Sequence, residues 1–101
     1  MANEGTIFRF TRSVPMREVE MTLHLARMAA ASLHGEDRVR IQAPAIVDRI
    51  NHSCRIDTTR DVGQALSLIF GGYVRHEFGD DAVQVERFAS IQTQQPMEVA
   101  T

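Results

Sequence analysis

The chain predicts a two-layer α+β domain, an expectation carried by three observations. Four short segments alternate strictly between polar and apolar residues, two longer segments carry apolar residues at helical spacing, and nothing between them reads as a linker. The proportions fit: 44% hydrophobic and 24% charged residues in a chain of 101 are those of an ordinary globular domain. A chain of this length buries roughly 60–70% of its unfolded surface, enough for one core without staples.

The first strand is read from Thr6, Phe8 and Phe10, which alternate with Ile7, Arg9 and Thr11. Ser13 and Pro15 then open a helix, since serine can accept from free backbone N–H groups and proline is tolerated in a first turn. At about 100° per residue, Met16, Val19, Leu23, Ala26, Ala30 and Leu33 fall in one stripe, the expected core face, and Gly35 is the stop. Arg38 to Ala43 alternates again and is read as the second strand. Pro44 excludes a regular central strand in residues 44–51, which leaves a bulged edge extension or one helical turn after it. The favoured reading is a long hairpin turning near Asp48 to Asn51. His52 to Asp57, with Cys54 and Ile56 on one side, makes the third strand.

Thr58-Thr59-Arg60-Asp61 matches a capping box and opens the second helix, whose expected core stripe is Val62, Ala65, Leu66, Ile69 and Tyr73. Gly79 closes it as a left-handed cap, Asp80 and Asp81 make a solvated turn, and Ala82 to Phe88 is the fourth strand. The order is a split βαββαβ, the ferredoxin-like arrangement: with right-handed crossovers it makes a four-stranded antiparallel sheet with two helices on one face. The expected organisation is a single domain over residues 5–89, a disordered N-terminus at residues 1–4 and a polar, flexible tail at residues 90–101.

One cysteine, Cys54, excludes an intrachain disulfide, residues 1–10 lack the apolar run of a signal peptide, and Ala65 to Val74 is too short to span a bilayer. A soluble, cytoplasmic protein is expected. The net charge of −2 argues against a surface tuned throughout to phosphate. All eleven positive residues are arginine, which codon usage in a GC-rich bacterial genome explains better than selection for bidentate donors.

Chemical motifs are sparse. His52 and Cys54 share one side of a strand, but no second pair stands at ligand spacing, and Cys54 is in phase with Ile56 as a buried thiol should be. No nucleophile is paired with a base at a recognisable spacing, so a catalytic site, a metal and a cofactor are not expected. Two features ask for a partner. Met21, Leu25 and Met28, with Ala29, form a second apolar stripe on the first helix, opposite its core face. Gly71 and Gly72 lie inside the second helix, each costing about 1 kcal/mol relative to alanine, which points to close approach of the first helix or a second subunit. The sequence therefore reads as a non-enzymatic module that self-associates or docks on a larger protein through its first helix. The alternative is a nucleic-acid binder using Arg9, Arg38, Arg40 and Arg55 on the open sheet face.

Overall fold

A computed structural model describes residues 3–90, so the expectations for residues 1–2 and for 91–101 of the tail lie outside the described residues. The elements are β1 (Asn3–Phe10), α1 (Met16–His34), α2 (Glu36–Gln42), β2 (Ala45–Asp48), β3 (Ser53–Asp57), α3 (Asp61–Phe78) and β4 (Val83–Ser90), with a 3-10 turn at Asp80–Ala82. The strands form one antiparallel sheet in the order β2-β3-β1-β4. Among the described residues the fold is mixed α+β, with four strands and three α-helices.

Register decides which side chains reach the core. Phe8 stands opposite Cys54 of β3 and Val85 of β4, and Thr6 opposite Ile56 and Arg87. Because strand side chains alternate, Phe8, Phe10, Cys54, Ile56 and Val83 point together into the core. There they meet Val19, Leu23, Ala26 and Ala30 of α1 and Val62, Leu66, Phe70 and Val74 of α3. Phe70 packs edge-on against Phe8, ring centroids 4.9 Å apart, and Phe10 bridges to Phe70 and Phe78 at 6.5 and 6.3 Å. Such contacts add about 0.5–1.5 kcal/mol each to what area burial supplies.

The expected second strand is not a strand. Residues 36–42 are helical, and the strand that precedes the hairpin is Ala45–Asp48. Alternation over Arg38-Val39-Arg40-Ile41 cannot distinguish the two states in so short a segment. The helix buries Val39 and leaves Ile41 exposed, where a strand would have buried both. Pro44 stands at the entry to edge strand β2, and its carbonyl accepts from the Asp57 N–H at 3.0 Å. The hairpin turns where expected: Asp48 Oδ1 accepts from the Ile50 and Asn51 N–H groups, both at 3.1 Å.

Helix ends differ in detail. Gly35 and Gly79 end α1 and α3 at φ 92° and 91°, which side chains rarely adopt, but their ψ of 144° and 154° is extended rather than left-handed helical. The expected capping box does not form, and α3 starts at Asp61 with Arg60 as its cap residue. Thr58 is held in the sheet instead, its N–H donating to the Glu4 carbonyl at 2.9 Å, while Asp57 Oδ1 takes the Thr59 N–H at 2.9 Å. Likewise Pro15, not Ser13, precedes α1, and the Ser13 hydroxyl pairs with that of Thr11 at 2.9 Å. The core stripe of α3 is rotated from the expected one: Phe70 and Val74 are buried and Tyr73 is exposed. On α1, Leu33 is 75% exposed because the last turn runs past the core.

Two glycines of α3 behave oppositely. A side chain at Gly63 would drive into the Asp57 carbonyl, whereas one at Gly72 would meet open space. Gly63→Ala should therefore destabilise the fold by about 2 kcal/mol or more. Gly72→Ala should stabilise it by about 0.5–1 kcal/mol through helix propensity alone. Urea midpoints of the two variants should move in opposite directions from wild type, and a common direction would contradict the packing described.

Candidate functional site

The outer face of α1 is the most unusual surface of the molecule. The helix forms because its core stripe repeats every three to four residues, which turns Met21, Leu25 and Met28 directly away from the sheet. These three are 62%, 55% and 56% exposed, and among the described residues nothing covers them. One flank of α1 is tied down. Arg49, in the β2–β3 turn, forms a two-pronged ion pair with Glu20 that holds the glutamate carboxyl below its ordinary range. On the same side, Arg27 Nη2 donates to the Ala45 carbonyl at 3.1 Å.

Beside the stripe, α2 and the second half of α1 enclose a groove of about 530 Å³. Met28, Ala31, Val39, Ala43 and Pro44 give it an apolar lining, with His24, Arg27, Glu36 and Arg40 around it. Sequence reasoning missed this groove because it read α2 as a strand. A signal was present: an acidic pair immediately after a helix-stopping glycine, then Val39 and Ala43 at helical spacing.

The two helical glycines do not act together. Gly71 is buried against the Phe8 ring, whose nearest atom lies 3.3 Å from where a Cβ would stand, so the close neighbour is a side chain of this chain and not another backbone. Gly72 is exposed. The truly tight backbone approach is at Gly63, which sequence reasoning did not single out.

The four arginines assigned to the sheet are divided by the structure. Arg9 and Arg55 stand on the face away from the helices, but Arg38 and Arg40 belong to α2 and leave the sheet entirely. Arg9 Nε is paired with Glu86 at 3.1 Å, and the Arg55 guanidinium lies 5.0 Å from the Phe88 ring centroid. Phe88 itself lies over Gly5, where any side chain would collide with its ring. Arg40 makes only an exposed contact with Asp37 at 3.2 Å.

Cys54 is fully buried in β3, and no group of three or more His, Cys, Asp or Glu able to hold a metal occurs among the described residues. No described helix is long and apolar enough to cross a membrane. Compared with protein-family models, curated proteins and solved structures, the chain gives no significant match.

Burial pushes the Cys54 thiol up to about 12, opposed only in part by the charge of Arg27. Its ordinary value is 9.0, so the folded state holds this proton more tightly than the unfolded one. Stability from this group is complete below pH 9 and is lost as pH rises from 9 toward about 12. Cys54→Ala should remove that part of the alkaline destabilisation in thermal melts at pH 8 and 10.5. At pH 8, disulfide reagents should label native Cys54 at least about 100-fold more slowly than the unfolded chain, since only the exposed thiolate reacts. Comparable labelling rates would contradict its burial.

Proposed function

We propose that this chain is a small, non-enzymatic interaction module of the cytoplasm that pairs with a second copy of itself through the outer face of α1. The observation that carries the reading is the exposure of Met21, Leu25 and Met28 on the helix side opposite the core. Methionine adapts its shape to a partner, and contiguous apolar surface on a helix favours association. The spacing also favours a two-fold contact. Met21 and Met28 lie equidistant from a point between His24 and Leu25. An antiparallel pair of α1 helices centred there sets each Met21 against Met28 of the other copy, with the two Leu25 side chains near the axis.

The reading assigns the fold to the split βαββαβ, ferredoxin-like class, with α1 and α3 as the two crossovers and α2 as an addition before β2. The all-antiparallel order β2-β3-β1-β4 supports it. Nucleic-acid binding has less support: two of its four arginines belong to α2, and a third is paired with Glu86.

A helix face about 28 Å long and about 10 Å wide offers less than the roughly 800 Å² per partner of a standard interface. Association in the micromolar range or weaker is therefore expected. Sedimentation equilibrium from about 10 μM to about 1 mM should show a concentration-dependent dimer. The double variant Leu25→Glu, Met28→Glu should raise Kd at least about 100-fold, because two charges per copy would enter an apolar contact. Its thermal melt should stay close to wild type, since neither residue is in the core. A wild type that remains monomeric throughout, or a variant that still dimerises, would overturn the reading; a partner that instead binds the monomer through α1 would replace the second copy.

A further inference from the structure

We propose that the groove between α1 and α2 is a binding site for a small organic carboxylate with an apolar body. Its volume of about 530 Å³ falls within the roughly 300–1,000 Å³ typical of small-molecule sites. Ala31 and Ala43 are small residues in the lining, and Val39 and Ala43 are its buried members. Met28 supplies an adaptable wall. Such a lining favours hydrocarbon.

The charged residues select the other end of the ligand. Arg27 and Arg40 present positive charge to the groove, against the carboxylate of Glu36 in its lining. Arg27 is already oriented, because its Nη2 donates to the Ala45 carbonyl at 3.1 Å. Its guanidinium carries about five N–H donors, so most remain for a carboxylate, and a side chain ordered in advance loses less entropy on binding. Arg40 is held only by exposed Asp37, a contact of little net strength that a ligand can displace. A cationic ligand would meet the arginines. A monoanion on an apolar body fits both the lining and the charge.

The site does not depend on self-association. Met28 borders both surfaces, but Arg27, Arg40, Ala31 and Ala43 lie off the stripe, so titrations below the dimerisation range and variants at the two arginines test the groove separately from self-association.

Octanoate, octan-1-ol and octylammonium are suitable probes, each titrated below its self-association limit into isotopically labelled full-length chain and followed by amide chemical shifts. Octanoate should give saturable shifts concentrated in residues 27–31 and 36–44. The alcohol and the ammonium should bind at least about tenfold more weakly, the factor expected for one lost charge-assisted contact. Arg27→Gln with Arg40→Gln should weaken octanoate at least about tenfold. Arg40→Gln alone, at an exposed position, should weaken it several-fold and guards against a folding defect at Arg27. Equal affinity for octanoate and octanol would overturn the proposal, as would shifts centred on Met21 and Leu25, or no saturable shift at all.

Discussion

Phe70 meets Phe8 edge-on at 4.9 Å because α3 carries no side chain at Gly71, and much of the layout follows from that contact. An added Cβ at Gly71 would stand 3.3 Å from the Phe8 ring, tight enough that ring or helix would have to shift slightly. Gly63 sets the same separation one end earlier, where the start of α3 rests on the Asp57 carbonyl. With the helix seated at both points, Phe70 also reaches Phe10, and Phe10 reaches Phe78 near the end of the helix. The aromatic side chains thus link β1 to the C-terminal half of α3. Losing one such ring typically costs about 3–5 kcal/mol, a large fraction of what holds a small domain folded.

Against that anchored helix, α1 has the opposite character. Its core stripe includes small residues, Ala26 and Ala30, which let it lie close to its neighbours, while Met21, Leu25 and Met28 face outward. The Glu20–Arg49 pair is too exposed to add much stability by itself. Together with the Arg27 bond to the Ala45 carbonyl it still fixes how α1 is turned about its own axis relative to the β2–β3 hairpin. Both the methionine stripe and the groove depend on that rotation. Gly35 breaks the chain sharply enough for α2 to fold back beside α1, and Val39 anchors it there.

The sheet face away from the helices is only partly screened. Phe88 lies against the Arg55 guanidinium and over Gly5, while Ile46, on the same face, stays 65% exposed. Arg9 and Glu86 neutralise each other across β1 and β4. On the helices the exposed apolar side chains include Met21, Leu25, Met28, Leu33, Ile41 and Leu68.

The sequence by itself determined the elements whose pattern is long or whose ends are marked. Fifteen or more residues of helical spacing made α1 and α3 legible, and glycines at positive φ marked both ends. Strict alternation made β1, β3 and β4 legible, and the same wheel that fixed the inner face of α1 exposed its anomalous outer stripe. Tertiary structure decided the rest. Arg38 to Gln42 has too few residues for periodicity to distinguish a strand from a helix. What settled it is that β3 has one free side, which Ala45–Asp48 occupies with a matching register, leaving Val39 to fill the gap beside α1 as a helix. The rotation of α3 was settled by where an aromatic ring and a missing side chain could meet. The groove takes its lining from α1, α2 and the residues just after α2, so it exists only once residues 36–42 pack as a helix beside α1.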